Sequence, residues 1–484
     1  LAPLTLYLTS VISLPALMWW AASVNQVPMQ VAFFVAVGAW VRHLRTRSPG
    51  WLAVTLLAVG FGLLCYVKVL LLVPVLAYLA VAYFARGTLR ERVVGTARAY
   101  WPAVATGGVL TVAYVVHYVS AVPQPFRPAR ENHVLEVADS MLGTILPTGL
   151  LGGPWHWYRT SPPIVLGSPP VWTVHLSWVL VVLVVLYSVL RRARAGRGWA
   201  LLATYSLALF VLLATSRGQL YGRFAGLEYR YLTDVVCVLA LTVGLVFLEL
   251  QGAPDSSRPR PAPLLTVRLH PGVAPLAVAL VAVGGLLSSA SYVGYWHHDN
   301  AGRAYVKNLQ AALAGSERVP ALAAQTLPGD VMPDYTKPDN DSRRFTSLLQ
   351  RRVSFPTTSD RLQVIDGAGN LVPASIRTGV RSRPGPQDGC GWKVRAEGRD
   401  IALTGRTFDW QWWLRIGYLS SSDSPVVVTA GDSRRATVVR KGLHSLYVRA
   451  DGRFDTVSVS GLADGVTLCV DTIEVGDPVP PEGP

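Results

Sequence analysis

The chain has 484 residues, of which 51% are hydrophobic and only 15% charged, with 44 Lys and Arg against 29 Asp and Glu and a formal net charge of +15. Soluble domains carry about 25% charged residues, so these figures exclude a single soluble globule. The surplus is local: residues 1–296 carry +13 and the remainder +2. Cations set between apolar runs report membrane topology and not nucleic-acid binding.

A helix that crosses a bilayer needs about 17–25 apolar residues. Stretches approaching that length fall at 2–21, 27–41, 51–67, 69–84, 99–121, 171–190, 200–215, 231–250 and 273–295, which predicts nine spans and a multi-span membrane domain over 1–296. One helix over 51–84 would rise about 51 Å, against a hydrocarbon core of about 30 Å. A tight hairpin with Lys68 at its turn is therefore expected. Alternate loops hold 14 cations (Arg42, Arg45, Arg47, Arg86, Arg90, Arg92, Arg98, Arg191, Arg192, Arg194, Arg197, Arg258, Arg260, Arg268) against 7 in the opposite set (Lys68, Arg127, Arg130, Arg159, Arg217, Arg223, Arg230). The richer set marks the cytoplasm. The other loops and the C-terminal part then face outward from the cytoplasmic membrane.

The long outward loop 122–170 carries Glu131, His133, Glu136 and Asp139 on a stretch with helical spacing over 129–142, readable as an amphipathic helix on the membrane or as a wetted face. Its run Trp155-His156-Trp157-Tyr158 is dense in aromatics, which stack on sugars and also crowd bilayer interfaces.

From residue 297 the pattern changes to a linker helix and the start of an outer domain (297–390), then period-2 strands over 391–484 that predict a β-sandwich of jelly-roll type. The first strand is expected over Thr404–Leu414, with Phe408, Trp410 and Trp412 on the core face and Trp413 on the other, as a sugar platform or part of a seam. Cys390 and Cys469 are either a disulfide or two buried thiols; a bridge would close a loop of about 80 residues, worth on the order of 4 kcal/mol. Cys65 and Cys237 read as packing residues. No Cys/His cluster has zinc spacing, and there is no Walker loop or dinucleotide fingerprint. His297-His298-Asp299 reads as a polar collar at the end of the last span.

Several stretches together carry a family likeness: Trp19-Trp20-Ala21-Ala22-Ser23-Val24-Asn25-Gln26-Val27-Pro28 as an outer turn; Gly60-Phe61-Gly62-Leu63-Leu64-Cys65-Tyr66-Val67-Lys68 followed by Leu71-Leu72-Val73-Pro74 as a helix hairpin; the loop 122–170; and Glu228-Tyr229-Arg230-Tyr231 before a late span. In order and layout the chain resembles the GT-C superfamily of integral-membrane glycosyltransferases, similar to cell-wall arabinosyltransferases or mannosyltransferases whose outward β-rich domains resemble carbohydrate-binding modules. The resemblance implies transfer of a sugar from a polyprenyl-phosphate donor to a cell-envelope polysaccharide or glycolipid. It leaves a divalent cation, Mg or Mn, as the one cofactor to weigh. It also implies that the catalytic carboxylate belongs to spans expected before Leu1, since Asn25-Gln26 stand where a second acidic residue often sits.

Such chemistry needs a base for the acceptor hydroxyl and cations for the leaving phosphate. The candidates for the phosphate are Lys68, Arg217, Arg223 and Arg230; those for the sugar or acceptor are Asn25, Gln26, Glu131, His133, Trp155, His156, Trp157, Tyr158, Glu228, Tyr229 and Trp413. Lys68 and Arg230 also read as interfacial anchors, and Arg217 and Arg223 as solvated loop charges. Two other classes remain: a membrane-anchored carbohydrate-binding or scaffold protein without catalysis, and a lipid-linked glycan flippase or polymerase.

Overall fold

The computed structural model describes residues 1–122, 133–160, 164–298 and 300–481. The chain divides into two compact units, Leu1–His298 and Asp299–Pro484, so the 297–390 stretch belongs almost wholly with the strands that follow it.

In the first unit, five helices are long and apolar enough to cross a membrane: Trp20–Thr46, Trp101–Ala121, Val171–Arg191, Ala195–Ala214 and the one that begins at Val273. Other apolar stretches form shorter helices, among them Pro49–Cys65, Leu72–Tyr83 and Val235–Phe247. Trp101–Ala121 buries only Ala103 and exposes Val109, Val112, Val116 and Val119. Such continuous apolar exposure suits lipid and not water. Val235–Phe247 is the central helix, with Val235 through Ala240 all buried.

Residues 2–21, expected as one span, are divided into three short helices, Ala2–Thr9, Val11–Ser13 and Leu14–Met18. Ser10 is extended and its hydroxyl accepts from the Ile12 amide, and Trp19 is extended as well. The predicted outer turn at Asn25-Gln26 is corrected. Both residues lie within the Trp20–Thr46 helix, which runs through Pro28 without a break. Tyr66 is extended and Val67–Leu71 is a 3₁₀ turn, so Lys68 does sit between two helices. Gly62 makes this crossing tight, since a Cβ there would lie 3.0 Å from both Ala32 and Val69.

Two other close approaches lock the last helix, Val273–His297. A Cβ on Gly285 would be 2.2 Å from the Thr9 carbonyl, and one on Gly152 would be 2.4 Å from the Val281 carbonyl. The Ala2–Thr9 helix thus packs on both Val235–Phe247 and Val273–His297.

The arginine-rich loops are tied together by Asp255, 4% exposed, which pairs with Arg92, Arg194 (2.8 Å) and Arg197 (3.2 Å). Neighbouring arginines bond carbonyls at helix ends: Arg192 Nε donates to Val246 (2.7 Å) and Arg260 to Val189 (3.3 Å). These carbonyls have no intrahelical partner.

In the second unit, all pairings of the two large sheets are antiparallel. One sheet runs Trp392–Val394, Leu468–Val479, Trp410–Ser420, Gly442–Gly452, Thr358–Ser359, with Ser375–Arg381 also paired to Leu468–Val479. The other runs Arg399–Ala402, Thr456–Ser460, Ser424–Ala430, Ser433–Val439. Leu414, Ile416, Leu446 and Val470 of the first meet Ile401, Val426, Val428 and Val457 of the second in one core. Cys390 and Cys469 are joined by a disulfide across 79 residues.

The face assignment at 408–413 holds in part: Trp412 packs against the shared core and Trp413 lies on the opposite face. The strand starts at Trp410, not Thr404, and Trp413 is 5% exposed. Its face of the sheet is covered by a second core with Ala323, Leu362, Val364, Ala374, Ile376 and Tyr447. Trp413 is therefore no platform. Phe408 and Trp410, expected inside, project beyond the end of the shared core, and Trp410 is 58% exposed. Thr407 pins this projection by accepting from the Phe454 amide (2.9 Å).

Two outcomes follow. Burial alone would raise the Asp255 carboxyl, but hydrogen bonds from Arg92 and Arg197 and their charges with Arg194 hold it below its ordinary value. A depressed carboxylate stabilises fully above its unfolded pKa of about 3.9 and loses that contribution as pH falls through the folded value. Asp255→Asn should thus cost about 1–3 kcal/mol at pH 7, with the gap to wild type closing below about pH 4 in thermal melts. Replacing Cys390 and Cys469 together by Ser should lower the stability of the strand-rich unit by about 2–5 kcal/mol, read as an earlier melting step in the full chain.

Candidate functional site

Four parts of the chain meet at the helix ends away from the arginine-rich loops: the break before Trp20, residues 133–160 with 164–167, residues 216–234 and the last helix. Buried aromatic rings form the floor. The Tyr229 hydroxyl donates to the Ile145 carbonyl (3.1 Å) and meets Thr148 Oγ1 (3.2 Å). Its ring needs glycines beside it, because a Cβ on Gly149 or Gly167 would lie 2.8 or 2.7 Å away. Trp157 stands 5.3 Å from Tyr229 and 4.8 Å from Tyr292, and its Nε1 donates to the Ser288 carbonyl (3.1 Å). Trp296 continues the row at 6.2 Å from Tyr292. Tyr229 and Trp157 are thus structural, too buried to stack on a ligand.

Above this floor lie Glu228 and Arg230. Glu228 is 8% exposed, and its Oε2 pairs with Arg230 Nε. The guanidinium carbon of Arg230 lies 4.3 Å from the Trp19 ring and 4.9 Å from the Tyr231 ring, and Nη2 donates to the Tyr231 hydroxyl (3.1 Å). Burial pushes the Glu228 carboxyl above the ordinary carboxylate range, while the charges of Arg230 and Arg217 pull against it. A carboxylate shifted by burial beside a guanidinium is a pattern found at reactive and ligand-binding sites. Arg230 Nη1 has no partner among the described residues, so the fork keeps donors for an oxyanion.

Lys68, predicted to meet phosphate at the membrane surface, is buried at 8% exposure instead. Its Nζ donates to Asp234 Oδ1 (3.2 Å) and the Tyr231 carbonyl (2.8 Å), and Tyr205 donates to Asp234 Oδ2 (2.7 Å). The expectation fails because the hairpin turn tucks inward against the central helix, where a carboxylate one turn beyond Arg230 neutralises the ammonium. Lys68 fixes the backbone on which Arg230 stands. A cavity of about 10 Å³ adjoins the pair, lined by Met29, Phe33, Tyr205 and Cys237.

The other candidates divide. Arg217 acts electrostatically on Glu228 and Tyr231. Arg223 is exposed and takes no part in these contacts among the described residues. His133 pairs with Glu136 (3.2 Å) beside Gly222, whose φ of +49 and 2.9 Å approach to Glu136 favour glycine. Glu131 lies outside the described residues. The helix expected over 129–142 is described from Val134 onward, and Val137 and Met141 point into the core, not to lipid. Trp155 and Tyr158 are exposed, and His156 bonds the Ser168 carbonyl through Nδ1 (3.1 Å). Asn25 is half-buried, with Nδ2 donating to Ala21 (3.4 Å); Gln26 is buried and its Oε1 has no partner among the described residues.

Sequence reasoning missed Tyr292 and Trp296 as parts of this region, and gave Trp19 only as part of an outer turn and Asp234 only as one of the acids on the outer face. The i, i+4 pair Tyr292 and Trp296 at the end of the last apolar helix was the available signal. A recess of about 490 Å³ lies elsewhere, on residues 249–254 with the ion-paired Arg258, and holds none of these groups. Among the described residues no group of three or more His, Cys, Asp or Glu is placed to hold a metal ion. Comparison of the chain with protein-family models, curated proteins and solved structures finds no match.

The Lys68–Asp234 pair makes a testable claim. Lys68→Met or Asp234→Asn alone leaves an uncompensated or weakly partnered group in the core and should cost about 3–5 kcal/mol. The double variant should cost less than the sum of the two, measured as a double-mutant cycle in thermal melts of the purified chain.

Proposed function

We propose that this chain belongs to a GT-C-type membrane glycosyltransferase that takes a sugar from a polyprenyl-phosphate donor to a cell-envelope polysaccharide or glycolipid acceptor. The observation that carries the reading is the buried Glu228–Arg230 pair, caged by Trp19 and Tyr231 and influenced by Arg217, at the helix ends opposite the arginine-rich loops. In this reading those ends face outward from the cytoplasmic membrane, nine apolar segments span it, and residues 391–484 form a jelly-roll-like, carbohydrate-binding-module-like sandwich on the outside. Arg230 and Arg217 take up the charge that develops on the leaving polyprenyl phosphate. The base that removes the acceptor proton stays unassigned. A divalent cation, Mg or Mn, fits poorly, because the group offers one carboxylate, already paired with a guanidinium.

A second reading, a membrane-anchored carbohydrate-binding protein, is favoured by one feature. Phe408 stands 4.7 Å from Trp412 and 6.3 Å from Trp410, an exposed aromatic projection of the kind that stacks on sugars.

The test is transfer from radiolabelled polyprenyl-phospho-sugars to envelope glycans by the full-length protein reconstituted in lipid. Arg230→Gln should lower turnover by about 10²–10³-fold, whereas Trp410→Ala should leave turnover on a short acceptor intact and weaken retention on immobilised glycan. Retention without transfer from any donor would sink the enzyme reading in favour of the binding protein.

A further inference from the structure

The Arg230 guanidinium carbon lies 4.3 Å from the Trp19 ring and 4.9 Å from the Tyr231 ring. These rings crowd the guanidinium and limit where a ligand meets it. Nη2 donates to the Tyr231 hydroxyl, and Nε is ion-paired with Glu228 Oε2, which sits against it without hydrogen-bond alignment. The segment is anchored from behind, since Lys68 holds the Tyr231 carbonyl at 2.8 Å. The position facing the Nε donor is thus filled by the chain's own carboxylate. We propose that Glu228 is an internal stand-in for a phosphate-class oxyanion at Arg230, and that the oxyanion binds by displacing Glu228, which takes up a proton as it leaves the ion pair.

The inference rests on the transferase reading only for the identity of the natural anion, a polyprenyl phosphodiester. The electrostatics require the proton. Glu228 is 8% exposed and faces Arg230 and Tyr231 on its own segment, Arg217 on the preceding one and Tyr292 on the last helix. Once Arg230 turns to another anion, a charged Glu228 is left in a buried, largely aromatic setting, which favours the neutral acid. Burial already pushes this carboxyl upward in the paired state. The exchange balances: the site gains one anion and one proton, and no covalent bond changes.

Two probes of constant charge across the pH range separate a lipid-borne phosphate from a free anion: undecaprenyl methyl phosphate, a monoanionic diester presented in nanodiscs, and inorganic sulfate. The full chain is titrated with each between about pH 5 and pH 8. Wild-type affinity for the diester should tighten as pH falls, approaching about tenfold per unit above the Glu228 midpoint. Glu228→Gln should bind about tenfold or more tightly than wild type at neutral pH with the slope abolished, and Arg230→Gln should weaken binding by about tenfold or more at every pH. Arg217→Gln, at an exposed position that tolerates change, should weaken it severalfold, which keeps the test open if the buried variants fail to fold. Diester binding with sulfate ineffective supports the lipid-linked source; sulfate competing with the same pH slope supports the same exchange with a free anion. Absence of binding, a Glu228→Gln variant no tighter than wild type, or an unchanged slope overturns the proposal. Transfer is not read here, so this binding pattern in a full-length protein that moves no sugar overturns the transferase reading alone.

Discussion

The ion pair between Lys68 and Asp234 sets the conditions for the rest of the membrane unit. Removing an ammonium and a carboxylate from water costs several kcal/mol each, and the pair is tolerated only if its remaining hydrogen-bonding capacity is met. Most of it is met here: both carboxylate oxygens accept, one from Lys68 and one from Tyr205, and Lys68 also reaches the Tyr231 carbonyl, so two of its three donors are used. Three separate pieces of chain are thereby fixed together: the turn between two apolar helices, the middle of the Ala195–Ala214 helix and the start of the central helix. In an apolar bundle the surrounding packing is insensitive to small rotations, and these directional bonds supply the register that dispersion does not.

Charge is used differently on the two sides of the bundle. Among the arginine-rich loops, guanidinium groups are spent on Asp255 and on helix-end carbonyls, so their value lies in closing backbone that would otherwise be unsatisfied. On the opposite side, Arg230 bonds a carboxylate and a phenol and lies against rings, keeping part of its donor fork uncommitted. The two environments contain the same residue type, and only the second leaves it able to meet an incoming anion. The aromatic floor adds to this by excluding water and holding the dielectric low, which strengthens any charge–charge contact made above it.

Much of the architecture was legible in the sequence because it depends on additive properties. Long apolar runs, the arginine bias of alternate loops and the period-2 pattern after residue 297 survive without knowledge of tertiary contacts. What was not legible depends on partners far apart in the chain. The Asn25-Gln26 pair looks like a turn because it is polar, yet the helix passes through it, since backbone bonds dominate over two amide side chains. Trp413 looked exposed because alternation assumes a sheet with one wet face, and residues 323–376 cover that face. Lys68 looked superficial because the sequence does not reveal that Asp234, 166 residues away, will meet it. Within the site, the Glu228-Tyr229-Arg230-Tyr231 run was visible, but its division of labour was not: Tyr229 packs into the floor, while Tyr231 stays with Arg230 above it.

The contact of Thr9 with Gly285 has a bearing on assembly. Helices enter a bilayer in chain order, and the short Ala2–Thr9 helix meets Trp20–Thr46 early, through Tyr7, which donates to Gln30 Oε1 and lies 4.9 Å from the Phe34 ring. Its packing on Val235–Phe247 and Val273–His297 comes from far along the chain. Until the last helix arrives, the loops that build the aromatic floor lack the Ser288 and Tyr292 positions against which Trp157 settles. Contacts of such long sequence separation are slow to form, so the open bundle is the state in which a quality-control protease would most readily meet this chain.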